Sequence, residues 1–206
     1  MAELSLPHLL ALAAALGWAS GMRLYAAVFF VGLAGRLGWL PLPAGLDVLT
    51  HTPVLIAAGL LMVIEFCADK IPGVDSLWDM LHTVVRIPAG AALAAAALSA
   101  DSQTWAAIAA LVGGALAATA HAAKTGTRAA ANTSPEPFSN LVLSLAGDLF
   151  VPVLLWLSWS HPFAFAAVMA LSLLMALVLI RLTFKFLRGV IRRIRRRSNA
   201  ASVKSS

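Results

Sequence analysis

The chain has 206 residues, of which 61% are hydrophobic and only 12% charged, and its mean hydropathy is +0.88. Soluble domains carry about 25% charged residues, so this composition excludes an ordinary soluble globule and points to a helical membrane protein. The formal charge of +6 belongs to one end: nine of the fifteen Lys/Arg lie in residues 181–206, which hold no acid, and the rest of the chain sets six basic against nine acidic residues, a formal −3.

Segment one runs from about Leu6 to Gly35 and is interrupted by Gly17, Ser20, Gly21 and Arg23. Thirty residues at about 1.5 Å each give about 45 Å, too long for one straight crossing, so it is tilted, broken or two half-helices. The start has the apolar character of a signal peptide but lacks a basic n-region, and its apolar run continues to Leu33. It therefore reads as a retained first helix. A loop rich in Pro and Gly follows, and segment two spans Pro53–Ala68, with Glu65 and Asp69 four apart on one face.

Pro72-Gly73 marks a turn. Asp75, Asp79, His82 and Arg86 then share one face of an amphipathic helix, and segment three continues over 87–100 with a kink expected at Pro88. Segment four, 105–123, is rich in Ala and Gly, which let neighbouring backbones approach closely. It leads into HAAKTGTRAAANTSPEPFSN (121–140), a polar stretch that holds the second G-x-R break and whose 134–140 end, with two prolines, predicts a turn or unwound segment. Segments five (141–159) and six (162–187) complete the apolar series.

The fold class is all-α: a polytopic helical membrane bundle of about six transmembrane segments, one domain over 1–190, then a basic disordered cytoplasmic tail over 191–206. The C-terminal arginines place that end in the cytoplasm, and counting back six crossings gives a cytoplasmic N-terminus as well. The expected location is the bacterial cytoplasmic membrane. Two offset matches suggest an inverted 3+3 repeat of halves 1–95 and 100–190 with broken helices: Gly21-Met-Arg23 with Gly126-Thr-Arg128, and the stretch from His51 with that from His161.

A charge inside an apolar span costs about 2.5–3.5 kcal/mol on insertion scales, so Arg23 should face the bundle interior and find a partner. Glu65, Asp69 and Asp148 are the candidates for an ion pair. In the functional reading, Arg23 and Arg128 converge and hold an anion, for which guanidinium is suited. His121, Lys124 and Arg128 share a helix face and add positive charge. Glu136 and Asn140 of the polar stretch are further binding candidates. Glu65, Asp69, Asp75, Asp79 and His82 could balance the cations, couple protons or, in a second reading, hold a metal in an enzyme acting on a lipid phosphate. Their spacing fits no metal motif, and no nucleophile or nucleotide motif is present. The leading expectation is thus a small transporter, channel or lipid-handling protein for an anionic solute or headgroup, with no catalytic residue, no metal and no cofactor. A third reading is a structural or assembly partner within the membrane. Expected partners are the bilayer, anionic headgroups at the basic tail, a small anionic substrate and a second copy of the chain, but no nucleic acid. The lone Cys67 excludes an internal disulfide.

Three stretches, GMRLYAAVFFVGLAGRLGWLPLP, EFCADKIPGVDSLWDMLHTVVRIPAGA and HAAKTGTRAAANTSPEPFSN, together resemble a bacterial integral-membrane family catalogued as domain of unknown function 4126. The resemblance covers about residues 10 to 180. It implies a small multi-pass membrane protein and transfers no activity and no catalytic residues.

Overall fold

The computed structural model describes residues 4–71, 73–99, 102–131 and 137–204, with side chains over the same ranges except 137–140, 187 and 190–204. Among these, regular structure is helical throughout: α1 (Leu6–Arg36), a 3₁₀ helix (Ala44–Thr50), α2 (Thr52–Ala68), α3 (Val74–Leu98), α4 (Gln103–Ala131), α5 (Pro137–Ser160) and α6 (Pro162–Lys204). Five of these, all but α2 and the 3₁₀ helix, contain stretches long and apolar enough to cross a membrane. The 3₁₀ helix and α2, bent by 69° at their junction, make a sixth candidate together. The protein is therefore a multi-pass membrane protein.

Small residues set the helix packing. A Cβ at Gly17 would stand 2.7 Å from the Gly113 Cα, one at Gly21 would overlap the Ala117 carbonyl, and one at Gly90 would stand 2.6 Å from the Ala117 Cβ. Backbones of α1, α3 and α4 thus meet directly, as close-packed membrane helices do when Gly and Ala line the contact. Ser20 Oγ donates to the Arg86 carbonyl at 2.7 Å across the same contact. Pro88 is accommodated inside a continuous α3, so the amphipathic helix and segment three of the sequence reading are one element.

These contacts also give direction. Gly90 meets Ala117 and Gly113 meets Ala94, so α3 and α4 are antiparallel. Gly17 meets Gly113 and Gly21 meets Ala117, so the first arm of α1 runs parallel to α4. At Arg23 the backbone leaves the helix (φ −150°, ψ 81°). The second arm then runs back: Phe29 faces Gly59 and Gly32 faces Leu49 and Leu55, while Gly45 of the 3₁₀ helix lies on Ala96 and Ser99 at the C-terminal end of α3. Of the alternatives for segment one, this is the broken helix, and its two arms lead to the same end of the bundle.

Two further stretches differ from expectation. α4 stays helical through Gly126 and Arg128 to Ala131, so the second G-x-R lies within a helix and only the first sits at a break. Thr125 and Thr127 donate side-chain hydrogen bonds to carbonyls of the preceding turn there, which keeps hydroxyls satisfied without unwinding the helix. α6 continues as helix through Lys204, where the sequence reading placed an irregular tail. Its run of Arg, Ile and Ala holds no breaker apart from Gly189.

Candidate functional site

The break in α1 delivers Arg23 to a buried polar layer at one end of the bundle. The C-terminal end of α2, the N-terminal ends of α3 and α5 and the C-terminal end of α4 all meet there. Gly73 (φ 88°) makes the turn from α2 into α3, a conformation that favours glycine. Asp75 Oδ1 then accepts from the Gly73 N–H at 2.9 Å and the Ser76 N–H at 2.6 Å, fixing the start of α3.

Asp69, in the turn after α2, is the hub. Its Oδ2 lies 2.9 Å from an Arg23 nitrogen and 3.3 Å from Lys124 Nζ, and its Oδ1 accepts from Arg128 at 2.7 Å. Burial acts to raise its pKa, but Lys124, Arg128 and Arg23 outweigh burial and hold it below the ordinary aspartate value. Arg23 also pairs with Asp148 of α5 at 2.9 Å and donates to the carbonyl and hydroxyl of Ser144. Gly147 leaves room for this: a Cβ there would stand 3.7 Å from Arg23 Nε. Lys70 meets the other Asp148 oxygen at 3.1 Å.

A second knot lies deeper. Arg86 of α3 is fully buried and pairs with Glu65 at 2.5 Å and Asp79 at 2.6 Å. Asp79 is also bound by Lys124 at 2.9 Å, with Arg128 at 3.6 Å. Lys124 therefore bridges the two knots. Among the described residues the layer holds five cations (Arg23, Lys70, Arg86, Lys124, Arg128) and five carboxylates (Glu65, Asp69, Asp75, Asp79, Asp148), so these sum to zero formal charge. Such balance is what a low-dielectric interior requires, since an isolated buried ion is costly and a hydrogen-bonded pair is tolerated. The pairing is incomplete: Glu65 Oε2, Asp75 Oδ2, Arg86 Nε and Trp78 Nε1 are buried with no hydrogen-bond partner among the described residues.

Two cavities touch the layer, and Arg128 lines both. A groove of about 510 Å³ lies between α3 and α4, lined by Asp79, Thr83, His121, Thr125 and Arg128 together with apolar residues such as Met80 and Ala122. Thr83 Oγ1 and His121 Nε2 lie 2.7 Å apart in it. A smaller, partly open pocket of about 80 Å³ is lined by Arg23, Lys124 and Arg128 together with Met22, Thr127, Leu143 and Gly147.

The layer brings together Arg23, Lys124, Arg128, Glu65, Asp69, Asp75 and Asp79. His82 stands apart: it stacks on Trp78 with ring centroids 4.0 Å apart, and its Nδ1 lies 2.8 Å from the Trp78 carbonyl oxygen. Glu136 and the Asn140 side chain lie outside the described residues. The carboxylates offered to a metal are engaged with cations, and no group of three His, Cys, Asp or Glu suited to a metal forms among the described residues. Sequence reasoning took Asp148 only as an ion-pair partner and Arg86 as part of an amphipathic face, and it passed over Thr83 and Ser144. Asp148 carried the clearest signal, a lone acid inside an apolar segment. The hydroxyls carried none.

These motifs define a multi-pass membrane protein built around a buried ion network. Residues 10–182 match the family described as Domain of unknown function (DUF4126), and the chain belongs to that family. No curated protein and no solved structure matches the chain.

Proposed function

We propose that the protein is a lipid-handling membrane protein that receives an anionic headgroup at the Arg23–Lys124–Arg128 cluster through the groove between α3 and α4. The carrying observation is that groove. Arg128, Asp79, His121 and two threonines line it, while Met80, Val84, Leu111 and Val112 on the adjacent outer faces are exposed and apolar. A ligand with a polar head and an apolar tail fits that distribution better than a free solute does. The guanidinium and ammonium groups supply the donors that a phosphate oxygen accepts.

The basic run after Ile180 favours a cytoplasmic position for the end of α6, and with it for the ion layer, because Thr183 faces Gly126 near the layer. In this reading α1 is a re-entrant hairpin, and the N-terminus lies on the side opposite the C-terminus. An inverted 3+3 repeat belongs instead to the alternative in which α1 counts as one crossing and both termini are cytoplasmic. It is supported by the two offset sequence matches and by the meeting of Arg23 and Arg128 on one carboxylate.

The test is lipid binding in nanodiscs doped with phosphatidylglycerol. Ala122→Trp fills the groove without touching the ion layer and is expected to weaken binding at least tenfold at unchanged thermal stability. Wild-type affinity in that variant would remove the groove from the function. A second reading, a structural or assembly partner, is supported by the charge balance of the layer. It predicts no lipid selectivity and a stable complex with another membrane protein or a second copy.

A further inference from the structure

The three cations that line the smaller pocket share one carboxylate. Arg23, Lys124 and Arg128 all contact Asp69, which is itself fully buried. The donors that now hold Asp69, on Arg23 Nη2, Lys124 Nζ and Arg128 Nη1, pass to an anion only if Asp69 gives them up. The layer is also neutral before any ligand arrives, so an added anion would leave a net negative charge in a desolvated place, which is unfavourable by several kcal/mol. Both problems have the same resolution. We infer that an anion entering this site displaces Asp69 from its cations and that the freed carboxylate takes a proton from solvent, so that binding of one monoanion is coupled to uptake of one proton. This rests on the reading that the site binds an anionic group.

The surroundings single out Asp69. From α1 it faces Arg23, from α4 Lys124 and Arg128, and from α3 Arg86 with Asp79 and Asp75 close by through their shared cations. From α5, Asp148 shares Arg23, and Glu65 and Lys70 flank Asp69 in its own segment. Asp79 would keep Arg86 if Lys124 and Arg128 turned to a ligand, and Asp148 would keep Lys70 if Arg23 did. Asp69 would keep no close partner. It sits in a turn rather than within a helix, so its side chain can withdraw without unwinding a span. The same cations hold its pKa low in the free protein, so the proton arrives with the anion and not before it.

The shared ligand chemistry is a phosphodiester monoanion, free or carried by a lipid. Full-length protein in phosphatidylcholine nanodiscs is titrated calorimetrically with dimethyl phosphate in one arm and with dihexanoyl phosphatidylglycerol in the other, each in two buffers of different protonation enthalpy. Neither probe titrates near neutral pH, so proton uptake reports the protein. The expected result is about one proton per anion bound, affinity rising about tenfold per unit fall in pH, and no uptake in Asp69→Asn, which binds independently of pH. Wild-type binding without proton uptake overturns the coupling while leaving the anion reading intact, and it needs no variant to be folded. Uptake that persists in Asp69→Asn assigns the proton elsewhere and overturns the proposal. Absence of binding in both arms overturns the coupling and the anionic-headgroup reading together. Coupled binding of dimethyl phosphate alone supports the coupling and identifies a free anion as the ligand, whereas coupled binding of the lipid alone supports it with a lipid-borne ligand.

Discussion

Removal of the Arg86 guanidinium is the most direct test of how the buried layer is held. In Arg86→Met the side chain stays apolar and of similar length, but two carboxylates lose their cation. They are not affected equally. Asp79 keeps Lys124 at 2.9 Å, whereas the ion-pair partner of Glu65 among the described residues is Arg86. Glu65 is fully buried and its Oε2 already lacks a hydrogen-bond partner, so it would be left as an uncompensated charge. Breaking a buried pair from one side costs about 3–5 kcal/mol, at or above the top of the usual range for a single substitution. Adding Glu65→Leu restores neutrality and removes the stranded carboxylate, so the double variant should recover at least about 2 kcal/mol of that loss as coupling energy. Unfolding in mixed micelles of increasing dodecyl sulfate, followed by tryptophan fluorescence, gives all three stabilities. A double variant no more stable than Arg86→Met, or an Arg86→Met loss under about 1 kcal/mol, would refute the assignment of Glu65 and Arg86 as one electrostatic unit.

Gly21→Val is expected to abolish monodisperse protein, because its side chain would meet the Ala117 carbonyl, while Gly114→Ala should be neutral or stabilising by up to about 1 kcal/mol, its Cβ meeting Ala91 at 3.4 Å; size-exclusion profiles and melting curves separate them. Arg23→Lys should lower the melting temperature measurably despite keeping the charge, since Nη2 at the far end of the guanidinium alone meets Asp69, Asp148 and Ser144, and the shorter lysine side chain brings its ammonium less far; an unchanged melting curve would show that this reach is dispensable. Acidification should destabilise the protein through Asp69: its folded pKa lies below the unfolded value, so its contribution is present above the ordinary value of 3.8 and is lost as pH falls through the lower folded value. Melting temperatures between pH 6 and pH 2 should therefore fall less steeply in Asp69→Asn than in wild type.

Much of the fold is legible in the chain because lipid leaves few alternatives. Every backbone group beside hydrocarbon must be bonded within its own helix, so apolar runs near twenty residues read directly as helices. The existence of a partner for Arg23 was legible for the same reason, and Asp69 and Asp148 were among the three acids named. The break in segment one was legible as one of its alternatives; what was not legible is that Arg23 alone carries it. A single residue outside the helical region carries no composition signal, and the glycines at 17 and 21 that look like a break are helical contacts with Gly113 and Ala117. The polar stretch from His121 misleads in the opposite sense. Its charges suggest an exposed loop, yet Lys124 and Arg128 are buried because α4 carries them into carboxylates from α2 and α3. Side-chain polarity reports the local solvent, and here that solvent is other side chains far away in the sequence.

The reversal and the ion layer explain one another. Where the helix breaks at Arg23, backbone groups and a guanidinium are brought into the interior, and only a polar neighbourhood can accept them. The ends of α2, α3, α4 and α5 supply that neighbourhood, with Asp69 and Ser144 placed on Arg23 Nη2. Conversely, five carboxylates at one level would repel one another without the cations interleaved among them. Among the described residues Arg23, at the break, is the cation that links the carboxylate after α2 to the carboxylate of α5. A ligand that drew Arg23 away from Asp69 would therefore loosen the tie between α2 and α5 through the apex of α1. An anion-binding event at this layer would consequently be felt in helix packing as well as in charge.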